Sequence, residues 1–182
     1  MNNLWRETGG QQMYYTRQDD LYMKHLTEQL PNFNGGRVLE IGPGDGGFAL
    51  KLVNKFQIDE YCVLDLETNI FDSVLYLTTN GYENVKHCYS KNYKDLFGME
   101  FDLLVANVVI PETGKVYRED LLNNIIPNCK NGMIISILDF DDEYKEWLIK
   151  LFNNNFNDVK CELTTYKNCY ALTGGKTNGR RN

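Results

Sequence analysis

The sequence predicts an α/β fold: a mostly parallel sheet with helices on both faces and an antiparallel hairpin at its end. Three observations predict it. Short apolar runs alternate with amphipathic segments along most of the chain. The stretch VLEIGPGDGGF at 38–48 runs from an apolar strand into a glycine-rich turn and then into a helix. The last part changes character, to two strand-like runs with no helix between them.

The elements follow in order. Residues 1–16 read as a polar, glycine-containing arm with Trp5, Tyr14 and Tyr15. Asp19 or Asp20 is expected to cap a helix through Leu30, which Pro31 helps to end. Val38, Leu39 and Ile41 form a buried parallel strand, since both faces carry little polarity. Phe48–Phe56 is expected as a helix, with Phe48, Leu50, Leu52, Val53 and Phe56 as its apolar stripe. Strands are expected at Tyr61–Asp65, Asn84–Tyr89, Phe101–Ala106 and Met133–Leu138. Helices are expected at Thr68–Thr79, Lys115–Ile126 and Asp141–Asn153, and an irregular stretch before Gly98. Val159–Tyr166 and Cys169–Thr173 read as the closing hairpin, turning at Lys167–Asn168. One domain over 17–175 uses up the chain, and 176–182 reads as a polar, disordered tail. With no room for a separate substrate domain, the arm and the loops are expected to recognise the substrate.

Composition narrows the function. A net charge of −6 without a long basic run argues against double-stranded nucleic acid as partner. The five cysteines are scattered without a C-x-x-C pair, so neither a zinc site nor a disulfide framework is indicated. Reduced, buried thiols in a cytoplasmic protein are the expectation. No apolar run approaches the ~20 residues that span a bilayer, and MNNLWRETGG lacks a signal-peptide pattern.

The glycine turn points to a nucleoside-type cofactor at the strand's carboxyl end. Glu40 and the spacing Gly42-x-Gly44-x-Gly46 decide which one. Nicotinamide-binding turns follow G-x-G-x-x-G, which seats a pyrophosphate on a helix N-terminus. A carboxylate at Glu40 would repel a pyrophosphate, but it suits a ligand with an ammonium and a sulfonium group. That ligand is S-adenosylmethionine. Asp65 ends the second strand and can accept both ribose hydroxyls, or it can cap the helix that follows. Leu66 would pack beside the adenine.

The 38–48 run resembles the first motif of the class I S-adenosylmethionine-dependent methyltransferases, and nearly the whole chain can be read on their plan. The resemblance implies a Rossmann-like seven-stranded sheet, mostly parallel with a C-terminal antiparallel hairpin. In KNYKDLF it places Asn92 where the family usually has an aspartate reading the adenine amino group; an asparagine carbonyl can accept the same bond. In FDLLVANVV it places Asn107 under the methionine part of the cofactor, although a plain strand-end turn residue would look the same. Tyr14 could cover the methionine end, or anchor the arm by aromatic burial.

YTRQDDLYMKHL, VLEIGPGDGGFALKL, YCVLDLETNIFDSVLYL and the run from FDLLVANVV to MIIS together look like the sugar O-methyltransferases of bacterial polysaccharide clusters. This similarity covers roughly residues 14–138. Glu67 replaces the proline usual after the leucine. The acceptor it implies is a small-molecule hydroxyl on a sugar or sugar nucleotide. A hydroxyl must lose its proton during transfer, because a neutral alcohol is a poor nucleophile. Glu112, in the loop after the fourth strand, and His25, on the first helix, are the candidate bases. Either can instead be a surface or packing residue. Asp139, Asp141 and Asp142 resemble the clustered aspartates of metal-dependent sugar methyltransferases, but helix capping accounts for them as well. No metal is expected. Two alternatives stay open: a ribosomal-protein-like N-methyltransferase, sharing V-A-N at the fourth strand, and a cofactor-binding subunit without catalysis.

Overall fold

The structure is a computed structural model that describes residues 9–107, 109–110, 113–137, 142–164 and 169–176, with side chains described outside 9–17, 67–71 and 137. Seven strands form one sheet in the order β3-β2-β1-β4-β5-β7-β6. They are β1 (Gly35–Ile41), β2 (Gln57–Asp65), β3 (Val85–Tyr89), β4 (Phe101–Asn107), β5 (Cys129–Ile137), β6 (Lys160–Leu163) and β7 (Cys169–Gly175). The first five are parallel, and β7 runs antiparallel to both β5 and β6. The expected Rossmann-like sheet with a C-terminal antiparallel edge is therefore what the chain forms.

The helices are α1 (Gly9–Gln29), α2 (Gly47–Lys55), α3 (Glu67–Thr79), α4 (Lys115–Ile125) and α5 (Asp142–Asn155). The period-2 pattern of each strand feeds two cores. On one face Val38, Val63, Val105 and Ile135 pack with Leu26 of α1, Leu52 of α2 and Leu77 of α3. On the other, Leu39, Leu64, Leu104 and Ile134 pack with Leu122 of α4 and Leu148 of α5. Parallel strands buried on both faces explain the near-continuous apolar runs of the sequence.

Several boundaries differ from the sequence reading. The first helix begins at Gly9, not at Asp19 or Asp20. No proline interrupts 9–29 and no glycine follows Gly10, so nothing stops the helix upstream of the aspartates. β5 starts at Cys129, four residues early, because Asn131 and Gly132 pair with Leu103 and Leu104. Gly132 is needed there: a Cβ would come 3.2 Å from the rings of Phe152 and Phe156. The stretch before Gly98 contains a 3-10 helix over Ser90–Leu96. The hairpin turn at Lys167–Asn168 lies outside the described residues, as does most of the tail.

α1 descends one face of the sheet from its carboxyl edge to its amino edge. At Asp19 it touches Gly47, where α2 begins. At its far end Gln29 donates to Glu162 of β6 over 2.8 Å and accepts from Lys160 over 3.0 Å. At 1.5 Å per residue, the ten residues before Asp19 extend roughly 15 Å past the glycine loop.

Candidate functional site

The sheet order reverses between β1 and β4, and a crevice opens at such a point beyond the strand ends. A cavity of 570 Å³ lies there, within the range of small-molecule sites. Gly42 and Gly44 form one wall, and Asp65 and Leu66 lie at the end of β2. Asn107 and Val109 come from the end of β4, with Thr113, Ser90 and Tyr117 closing the rim.

The glycine loop is shaped by backbone bonds. Gly42 N–H donates to Leu64 O over 2.8 Å, and Gly46 N–H to Pro43 O over 3.0 Å. Gly44 adopts φ +57°, and a Cβ on it would meet nothing within 4 Å, so this residue faces open space. Gly42, at φ +67°, is constrained by contact as well: a Cβ would come 2.4 Å from Val109. That packing locks the loop onto the segment after β4. The Asp45 carboxylate accepts from the Gly47 N–H over 3.0 Å at the start of α2.

Asp65 accepts from the Leu66 N–H over 2.6 Å. The cap position of α3 is Leu66 itself, whose side chain makes no cap bond. Leu66 is 57% exposed at the rim, an apolar surface available for a flat ring. The Asn107 Oδ1 is buried and has no hydrogen-bond partner among the described residues. An orphaned acceptor costs about 1–3 kcal/mol, so a donor supplied by a ligand would relieve it.

The structure thus brings Gly42, Gly44, Asp65, Leu66 and Asn107 to one cavity. Other candidates lie elsewhere. Gly46 turns the chain into α2 at φ +86°, where a Cβ would come 3.2 Å from Ser73. Asn92 is exposed on the 3-10 helix with its carbonyl accepting from the Cys88 thiol over 3.4 Å, and it is not in the cavity lining. Ser90 and Tyr117 line that end instead. The Tyr117 ring packs at a 58° tilt against Tyr93, with centroids 4.7 Å apart, and Tyr93 OH donates to Asp120 over 2.5 Å. Burial pushes the Tyr117 phenol up to about 12, so it stays neutral. No motif marked these two residues; their only signal was closeness in sequence to KNYKDLF and to the helix after the fourth strand.

Glu40 does not line the cavity. Its neighbours Leu39 and Ile41 belong to the α4–α5 core, so the pleat turns Glu40 toward α1 and α2. It is 1% exposed and accepts from Tyr61 OH over 2.8 Å. Burial pushes its carboxyl up to about 8, the Tyr61 bond works against that, and the charges of Asp19, Asp45 and Asp65 reinforce it.

His25 is also away from the cavity. It lies about 9 Å further along α1 than Asp19, where Glu162 and Lys160 are its charged neighbours. Burial holds its imidazole below the usual value, and its Nε2 is buried without a hydrogen-bond partner. Glu112, Asp139 and Asp141 lie outside the described residues, as does the side chain of Tyr14. Asp142 is exposed in the first turn of α5. Among the described residues no group of three His, Cys, Asp or Glu could hold a metal ion.

No protein-family model matches the chain, and no curated protein matches it in sequence. Many solved structures match its fold. An O-methyltransferase family protein from Burkholderia thailandensis superposes with a TM-score of 0.63 at 10% identity, over 79% of this chain and 51% of the other. The chain thus spans about half the length of that protein. Magnesium protoporphyrin IX methyltransferase from Synechocystis, solved with its bound cofactor, gives 0.66 at 13% identity over 90% and 80%. The N-methyltransferase NodS from Bradyrhizobium japonicum, solved with S-adenosylhomocysteine, gives 0.65 at 14% identity over 97% and 93%. The fold is the Rossmann-like methyltransferase fold.

Proposed function

We propose that this chain is an S-adenosylmethionine-dependent methyltransferase acting on a small-molecule hydroxyl, a sugar or sugar nucleotide. One observation carries the cofactor half of the reading. The open Gly44, the strand-end Asp65 and the orphaned Asn107 acceptor meet in one cavity at the switch point of a methyltransferase-type sheet. Asp65 accepts the two ribose hydroxyls, while Leu66 and Tyr117 flank the adenine. The Asn107 oxygen takes a hydrogen from the methionine ammonium. Gly42 and Gly44 allow the backbone to approach the cofactor closely.

The methyl group moves from the sulfonium to the acceptor oxygen in one displacement, and the hydroxyl proton leaves to a base. Glu112 is that base. His25 is less suited, since it packs toward β6. The hydroxyl acceptor rests on the sequence resemblance to sugar O-methyltransferases, because the fold neighbours act on oxygen, nitrogen and a porphyrin alike. The reaction is metal-independent. The reading keeps one catalytic domain over 17–175, an arm over 1–16 that covers the site with Tyr14, and a cytoplasmic setting. No helix among the described residues is long and apolar enough to cross a membrane. No double-stranded nucleic acid partner is expected.

Calorimetry tests the cofactor half. S-adenosylmethionine and S-adenosylhomocysteine should bind and NAD should not; tight NAD binding with no response to either would overturn it. A methylation screen with sugar nucleotides and small amines tests the acceptor half. Turnover on amines alone would replace the hydroxyl by an amine, which needs less base assistance.

A further inference from the structure

Four carboxylates gather at the glycine loop from four elements. Asp19 comes from α1, Asp45 from the loop, Glu40 from β1 and Asp65 from β2. The Asp19 carboxylate lies against Gly47, where a Cβ would come 2.4 Å from its Oδ2. Asp45 holds the Gly47 N–H beside it. Lys51 of α2 faces the cluster but is engaged by Asp20, at 2.7 Å. Tyr61 of β2 presents its hydroxyl to Glu40. Asp65 and the orphaned Asn107 oxygen open on the cavity. Carboxyl groups thus crowd the spot where the sheet presents its cavity, and the buried Asn107 acceptor there is open to a donor.

We propose that Asp19 is a positioning residue that couples the seating of α1 on the glycine loop to the charge of the bound donor. Binding of a cationic donor ionises the Asp19 and Glu40 carboxyls, with release of a proton to solvent. This inference rests on the S-adenosylmethionine reading above. Burial and the neighbouring carboxylate of Asp45 raise Asp19 to about 7, with Lys51 opposing and Asp20 adding to the rise. A positive ligand favours the ionised form, and the released proton goes to solvent. S-adenosylmethionine carries a sulfonium that S-adenosylhomocysteine lacks. The protein should therefore prefer donor over product increasingly as pH rises, which aids product release once the sulfonium charge is gone.

Calorimetry at about pH 6 and about pH 8 tests this with both ligands. The wild-type ratio of donor to product affinity should rise at least about fivefold between those values. Asp19→Asn should flatten most of that rise, while Asp102→Asn, at the opposite edge of the sheet, should keep it. The ligands' own ammonium titrates alike with every variant, so the difference between variants isolates Asp19. Proton release measured on the wild-type chain in two buffers of different ionisation heat needs no variant. Release of a substantial fraction of a proton per donor near neutrality, with less for the product, is the expected result. An unchanged slope in Asp19→Asn, or no proton release, would overturn the coupling while leaving cofactor binding intact. Failure of the wild type to bind either ligand would overturn the cofactor reading, and the coupling with it.

Discussion

The two edges of the sheet treat charge in opposite ways. At the amino edge, acids and bases are matched. Glu60 pairs with Arg37 at 2.9 Å and with Lys86, and Asp102 pairs with Lys130 at 2.6 Å while accepting from the Arg37 N–H over 2.8 Å. Burial alone would raise both carboxyls, but the partners outweigh it and hold them below their usual values. At the carboxyl edge, burial and mutual repulsion prevail, and Glu40 and Asp19 sit near 8 and 7. A matched edge is self-sufficient. The carboxyl edge gathers its acids against one another, and it is the edge that holds the cavity.

The contrast breaks most sharply at Gly44. Gly44→Val puts a branched side chain at φ +57° and into the open cavity. Cofactor binding should fall below detection by calorimetry, and binding close to wild type would remove the loop from the site. Next in size is Glu112→Gln. With an acceptor in hand, turnover should drop at least ~100-fold with cofactor affinity kept, and excess chelator should change nothing. Loss on chelation, restored by magnesium, would instead make Asp139, Asp141 and Asp142 metal ligands.

The edges also differ in how stability follows pH. Glu40 has a raised folded value, so its contribution is present below its unfolded value of 4.5 and is lost as pH rises toward about 8. Each unit of such a shift is worth about 1.4 kcal/mol. Glu40→Gln keeps an acceptor for Tyr61 OH and should be more stable than wild type above about pH 8 in denaturant titrations. The smallest effect is at the amino edge. Asp102 has a depressed folded value, so its contribution is present above 3.8 and is lost as pH falls through the folded value. Asp102→Asn should lower stability at neutral pH by about 1 kcal/mol or less, the deficit vanishing in acid, with cofactor affinity untouched.

Much of this was legible from residues alone. The strand–glycine–helix run and Asp65 located the cavity, since buried parallel strands and a positive-φ turn leave strong local signals. Glu40 was legible as an acid at the loop but was assigned a ligand contact. Alternation along β1 already required it to face away from the side of Leu39 and Ile41. Asn92 is exposed at the kink between two 3-10 turns and is not among the residues lining the cavity, while an aromatic on an amphipathic helix such as Tyr117 carries no mark in the sequence of the cavity it lines. The first helix was expected but its start at Gly9 was not, because aspartates that read as a cap serve a tertiary contact instead: Asp19 on Gly47 and Asp20 on Lys51.

The most direct measurement compares S-adenosylhomocysteine affinity in Asp65→Ala and Asp102→Asn by calorimetry. Asp65→Ala should lose on the order of 2–3 kcal/mol, as a charge-assisted bond to the ribose is removed. Asp102→Asn, changed at the opposite edge, should bind as the wild type does. Unchanged affinity in Asp65→Ala, or an equal loss in both, would contradict the assignment of the ligand to the carboxyl edge.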